Sequence, residues 1–157
     1  MRSMHFLKDS LIGHITPESV EASDLVLMPC HLGSHWALLV CWLKEQRWEY
    51  LDSLPSSLHH SGVRANLKAL QEDALHAFPE RFIDWPVEDA RKSPQQSNNY
   101  DCGVFVIKYM KVVTSLEVVT WQDHQGWQAD MPRFRAEIAA QICKTFARHI
   151  ADKLAAF

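Results

Sequence analysis

A chain of 157 residues is long enough for one domain with its own core and too short for two. Apolar residues make up 47% and aromatics 10%, at a net charge of -3; this excludes collagen-like, low-complexity and disordered classes. It also argues against a dedicated nucleic-acid binder, which needs clustered Lys and Arg that the chain does not have.

No stretch approaches the roughly 18 to 20 apolar residues that cross a bilayer. Residues Met1 to Val20 carry Arg2, Lys8, Asp9, His14 and Glu18 with no continuous apolar run, a poor signal peptide. Cytosol or nucleus is the expected compartment, with no membrane partner.

Asp24 to Met28 (DLVLM), bounded by Pro29, predicts a short buried strand. After the turn-like His31-Leu32-Gly33-Ser34 comes His35 to Leu43 (HWALLVCWL), apolar nearly throughout. Lys44-Glu45-Gln46 breaks it, and Arg47 to Asp52 (RWEYLD) resumes, so these two runs predict a hairpin. Ser61 to Phe78 is predicted helical, since Val63, Leu67, Leu70, Ala74 and Phe78 recur at spacings of three and four.

Arg81 to Trp85 reads as a further strand before Pro86. Glu88 to Asn99, polar and holding Pro94, reads as a surface loop. Asp101 to Val113 (DCGVFVIKYMKVV) is apolar on almost every side; its length favours a buried helix over a strand. Asp130 to Leu154 predicts an amphipathic helix with Pro132 near its start and Phe134, Ile138, Ile142, Phe146 and Ile150 at helical spacing. Strands flanked by helices, with one adjacent pair antiparallel, make the fold class α+β and the chain a single domain over residues 1–157.

The cysteines are Cys30, Cys41, Cys102 and Cys143, none in a CxxC pair, and an intracellular setting favours free thiols. Cys102 opens a buried apolar helix directly after a polar loop. A helix N-terminus presents unpaired N–H groups and partial positive charge, both of which favour the nucleophilic thiolate. Gly103 allows close approach of a substrate backbone. The competing reading is a buried structural cysteine.

A thiolate needs a base held in one orientation. Of nine histidines, His35 sits where a turn meets a buried strand, beside Trp36. His59, His60, His76, His124 and His149 lie on polar or helix-surface stretches and read as solvated. Asp52, ending the next strand, is poorly placed unless something pairs with it. As the neighbour of His35 it would fix the imidazole tautomer; otherwise it is a turn initiator before Pro55.

Taken together, SHWALLV, YLDS and PQQSNNYDCGVFV resemble the SUMO/sentrin-specific proteases, the Ulp-type branch of the cysteine peptidases. VLMPCHL and MPRFRAEI are similar to family segments too, so the resemblance runs from about Asp24 to Lys144. It implies a papain-like site on a central mixed sheet flanked by helices, with His before Cys in the chain. Catalytic roles fall to Cys102 as nucleophile, His35 as base, Asp52 as its orienter and Gln96 as a side-chain donor to the oxyanion. Without the resemblance, Gln96 and Gln95 are not distinguished.

The resemblance also implies that Trp36 roofs a tunnel for a modifier's Gly-Gly tail; the plain reading of this residue is ordinary core packing, and both can hold at once. The implied activity is isopeptidase and endopeptidase cleavage after the C-terminal Gly-Gly of a ubiquitin-like modifier, SUMO foremost. The expected protein is a monomer without cofactor or metal, nuclear by family expectation. Family members carry a Trp-Leu-Asn-Asp-like segment upstream, absent from Met1 to Ser23, so 1–23 reads as a divergent or truncated N-terminal segment.

Two alternatives follow: a catalytically impaired modifier-binding module, or a related protease acting on another ubiquitin-like modifier. A metal protein using Cys30, His31, His35 and Cys41 is disfavoured, because those spacings match no usual zinc arrangement.

Overall fold

The computed structural model describes residues 20–56, 58–59, 61–65, 67–68, 85–89, 93–115 and 120–155. Within them a four-stranded sheet runs in chain order, β1 (Leu25–His31), β2 (Trp36–Trp42), β3 (Arg47–Leu51) and β4 (Val87–Asp89). β1 and β3 each pair antiparallel with β2, and β4 pairs parallel with β3. The expected β2–β3 hairpin is present, closed by a turn in which Gln46 takes the left-handed backbone (φ 54).

The unbroken apolar run of β2 has a physical cause. Successive side chains on a strand point to opposite faces, and both faces of β2 are buried. Ala37, Leu39 and Cys41 join Met28, Cys30, Trp48, Tyr50, Val63 and Leu67 on one side. Leu38 and Val40 join Leu51, Phe105, Val106, Tyr109 and Phe134 on the other. The sheet thus lies between two apolar clusters, a mixed α+β arrangement.

The second cluster is roofed by α1 (Cys102–Val113), a short 3-10 turn (Trp121–His124) and α2 (Trp127–Ala155). The choice of helix over strand for 102–113 holds: Cys102, Phe105, Val106, Tyr109 and Val113 recur at helical spacing and are all buried. Tyr109 meets Trp121 edge-on with ring centroids 5.5 Å apart, and Phe105 lies 6.0 Å from Trp127. Such aromatic pairs add about 0.5–1.5 kcal/mol each beyond burial.

Several expectations need correction. β1 does not stop at Pro29 but runs on to His31; it is an edge strand, where the missing proline N–H costs no ladder bond. The surface loop expected over 88–99 instead begins in β4 and then turns inward, with Ser93, Pro94 and Gln96 buried. Its polar residues are tolerated inside because Ser53, Asp52 and Tyr109 supply partners.

The helix expected over 130–154 is present as Trp127–Ala155, starting three residues earlier, with Pro132 near its start as expected. Beyond the half-buried Ile138, the apolar stripe of α2 is exposed at Ile142, Phe146 and Ile150. Residues 61–65 and 67–68 are helical, and Val63 and Leu67 are buried as expected. The helical positions expected at Leu70, Ala74 and Phe78, and residues 81–84 of the expected strand, lie outside the described residues. Among the described residues, no helix is long and apolar enough to cross a membrane.

Candidate active site

The turn between β1 and β2 delivers His35. Gly33 adopts φ 78, a left-handed conformation that glycine enters without steric cost. Leu32 N–H then donates to the His35 carbonyl at 2.7 Å, clamping the residue ahead of β2. The imidazole is buried, and its Nε2 lies 2.6 Å from Oδ1 of Asp52. A carboxylate only accepts, so Nε2 carries the hydrogen and Nδ1 of the neutral ring keeps its lone pair.

Asp52 follows β3 directly, and its carboxylate is saturated with donors. Oδ1 also accepts from Leu54 N–H at 2.8 Å, and Oδ2 accepts from the Tyr50 hydroxyl at 2.6 Å. Tyr50 reaches it because residues i and i+2 on a strand share a face. Three donors thus converge on one buried carboxylate, which holds the His35 ring in a single orientation.

The strap over 93–97 is tied to the same corner. Gln95 Nε2 donates to the Asp52 and Ser93 carbonyls, each at 3.0 Å. Gln96 N–H donates to the Ser53 carbonyl at 2.8 Å, and the Ser53 hydroxyl donates to Gln96 Oε1 at 2.7 Å. That bond fixes which end of the Gln96 amide is the donor. One of its two N–H bonds goes to the Asn98 carbonyl at 2.5 Å. The two glutamines therefore differ in burial: Gln95 is half-buried with its amide on the Asp52 and Ser93 carbonyls, while Gln96 is buried with its amide oriented by Ser53.

Cys102 is buried at the first position of α1, and α1 packs on β2, the strand that begins beside His35. Asp101 occupies the N-cap position but makes no side-chain cap bond. Its carboxylate turns instead to Asn98 Nδ2 at 2.6 Å, Gln128 Nε2 at 3.0 Å and the Arg135 guanidinium, whose Nε is at 2.8 Å.

The consequence is twofold. N–H groups of the first helical turn are left free of a carboxylate cap, and the negative charge next to Cys102 is neutralised by Arg135. A Cβ placed on Gly103 would meet nothing within 4 Å, so space is open beside the cysteine. Burial pushes the Asp101 carboxyl up, but the hydrogen bonds from Asn98, Gln128 and Arg135 and the charge of Arg135 outweigh it and hold the group below its ordinary value.

A group lowered on folding stabilises the protein above its unfolded pKa and loses that contribution as pH falls through the native value. Asp101→Asn is therefore expected to cost about 1–2 kcal/mol at neutral pH, a modest figure because Arg135 is solvent-exposed. The gap to wild type should close below about pH 4; urea midpoints measured against pH check this, and a pH-independent gap would contradict it.

Trp36 is 41% exposed, with its ring centroid 4.6 Å from that of His31 across the β1–β2 pair. The ring is therefore not part of the buried core. Cys30 and Cys41 are separated along the sheet, one opposite Ala37 and the other opposite Val26, so the Cys30, His31, His35, Cys41 set is not brought together. Burial pushes their thiols up to about 11 and about 12.

One residue read as solvated is part of the site. His59 stacks on His35 with ring centroids 4.5 Å apart and planes 4° from parallel. Its only sequence signal was a histidine shortly after an Asp-bearing turn, with nothing periodic to point inward.

Residues 9–150 match the family described as the Ulp1 protease family, C-terminal catalytic domain. Human sentrin-specific protease 5 is 34% identical over 123 residues, covering 77% of this chain and 15% of that protein. The Arabidopsis thaliana ubiquitin-like-specific protease ESD4 is 33% identical over 124 residues, with 77% and 24% covered. This chain thus spans a quarter or less of the length of either relative.

Among solved structures, the C-terminal Ulp1 protease domain in complex with Smt3, the yeast ortholog of SUMO, aligns with a TM-score of 0.52. Identity is 26%, over 74% of this chain and 53% of that one. The SUMO protease Ulp1 with its catalytic cysteine oxidised to a sulfonic acid gives 0.55 at 25% identity, over 85% and 59%. A family match over most of the chain, two relatives above 30% identity and a shared fold carry one conclusion: this chain belongs to the Ulp1 protease family.

Proposed function

We propose that the chain is a cysteine-type peptidase that cleaves after the C-terminal Gly-Gly of a ubiquitin-like modifier, with SUMO as the expected modifier. The observation that carries this reading is the buried 2.6 Å bond between His35 Nε2 and Asp52 Oδ1, which leaves His35 Nδ1 as the basic nitrogen. The Smt3-bound solved relative supports the choice of modifier.

In this mechanism His35 Nδ1 takes the Cys102 thiol proton, and the thiolate attacks the carbonyl carbon of the terminal glycine. Negative charge moves to the carbonyl oxygen, where the Gln96 side-chain amide and the Cys102 backbone N–H donate to it. The C–N bond breaks as His35 returns its proton to the leaving lysine amine. A water, deprotonated by His35, then hydrolyses the thioester and frees the modifier carboxylate and the thiol. Asp52 keeps the ring in the tautomer that makes both transfers possible. Trp36, exposed at the start of β2, is proposed to cover the Gly-Gly tail.

The test is covalent capture. SUMO bearing a C-terminal propargyl amide is expected to form an adduct with this chain, and the Cys102→Ser variant to form none. An adduct with ubiquitin in place of SUMO would move the specificity to another modifier while leaving the chemistry intact. Binding of SUMO with neither adduct nor turnover would make the chain a modifier-binding module.

A further inference from the structure

The loop after Asp52 folds back so that His59 covers the His35–Asp52 pair. Its N–H donates to Ser56 Oγ at 3.1 Å, and its Nδ1 lies 3.2 Å from the Leu54 carbonyl and 3.6 Å from Asp52 Oδ2. A carbonyl only accepts, so Nδ1 carries a hydrogen, which faces both oxygens. The side chains of His35 and Asp52 are 6% and 2% exposed, whereas that of His59 is 20% exposed. The second imidazole therefore stands between the pair and solvent.

These three side chains lie close enough to suggest a cation site, their ligand atoms being within 4.8 Å of one another. The ring geometry argues otherwise. Lone pairs lie in the plane of each ring, and planes 4° from parallel run them side by side instead of converging on one ion. The nitrogen of His59 that faces Asp52 is moreover the protonated one.

We infer that His59 is a positioning residue for the reaction: its flat face holds the plane of the His35 ring and shuts water away from the His35–Asp52 bond. Two features of the geometry and one general effect support this. The stack is nearly parallel, as needed to restrict ring rotation. His59 is itself held by Leu54 and Ser56, in the segment just past Asp52, so the cover and the carboxylate move together. Electrostatic interactions also strengthen where water is excluded, so the cover makes Asp52 a better partner for the imidazolium formed in each transfer.

The groups facing His59 are His35, Asp52 and the Leu54 carbonyl, and Tyr50 donates to the same Asp52 oxygen, Oδ2, that His59 Nδ1 faces. This inference rests on the proposed triad, and its test separates the two. Steady-state kinetics on SUMO carrying a C-terminal aminomethylcoumarin would compare wild type, His59→Ala, His59→Phe and Cys102→Ser. His59→Ala is expected to lower kcat on the order of tenfold or more, as loss of a group that orients an active side chain does, with KM unchanged. His59→Phe, which keeps the flat ring, is expected to restore most of that kcat.

Full activity in His59→Ala, or a loss carried by KM, would overturn the inference while a dead Cys102→Ser upholds the triad. In parallel, the low-field proton resonance of the His35 Nε2–H···Asp52 bond is expected to broaden by exchange with water in His59→Ala and to stay sharp in His59→Phe. Should the wild-type chain turn over no modifier, the proposed function fails, and an unchanged resonance in His59→Ala still overturns the role of His59.

Discussion

His35→Ala is expected to reduce turnover of a SUMO C-terminal amide by about 10⁶-fold, and Asp52→Asn by about 10⁴-fold. Both figures follow from the division of labour in the pair. Without His35 nothing takes the thiol proton or returns one to the amine, and the two losses are not separable. Asp52→Asn leaves the fold largely in place but reverses a donor.

The new amide has one oxygen where the carboxylate had two, and three groups now donate to the carboxylate: His35 Nε2, Leu54 N–H and the Tyr50 hydroxyl. An amide NH₂ turned to His35 would force the hydrogen onto Nδ1, the nitrogen that must accept the thiol proton. The measurement is kcat and KM for both variants on one fluorogenic modifier. A loss below about tenfold for Asp52→Asn would contradict its role as orienter.

Gln96→Ala is expected to lower kcat by about 10²- to 10³-fold, as removal of one oxyanion donor does. It also leaves the buried Ser53 hydroxyl without its acceptor, which costs about 1–3 kcal/mol of stability. Gln96→Glu separates the two effects. A glutamate keeps an oxygen for Ser53 but cannot donate, and its charge opposes the developing oxyanion, so kcat falls while the bond to Ser53 survives. Comparable losses in Gln95→Ala, whose amide is engaged with the Asp52 and Ser93 carbonyls, would shift the oxyanion role away from Gln96.

Much of this frame is legible in the residues because burial writes itself as pattern. β2 reads as an unbroken apolar run since both its faces are covered, and the residues buried along 102–113 return every three or four positions since one helix face is. The ends of those two elements place His35 and Cys102. Asp52 was suspect because an acid at the end of an apolar strand needs a partner, and the partner is His35.

What pattern does not encode is the compensation of polar groups across the fold. Residues 93–97 look like surface because they are polar, yet Gln95 and Gln96 are tied to Asp52 and Ser53 by bonds that cross more than 40 positions in sequence. Asp101 would pass for an ordinary N-cap, but its carboxylate turns to Arg135. His59 carries no periodic signal at all; only the return of its loop onto Asp52 brings it against His35. Pro29 misleads in the opposite direction, since a proline stops a strand only where its N–H would be used.

The most direct test of the account is to digest the adduct between this chain and propargylated SUMO and locate the modified residue by mass spectrometry. Modification at Cys102 alone is expected. Cys30 and Cys41 are buried with raised thiol pKa values, and Cys143 is exposed on α2 without a base assigned to it. A label on Cys143, or one that persists in Cys102→Ser, would contradict the central assignment of Cys102 as the nucleophile.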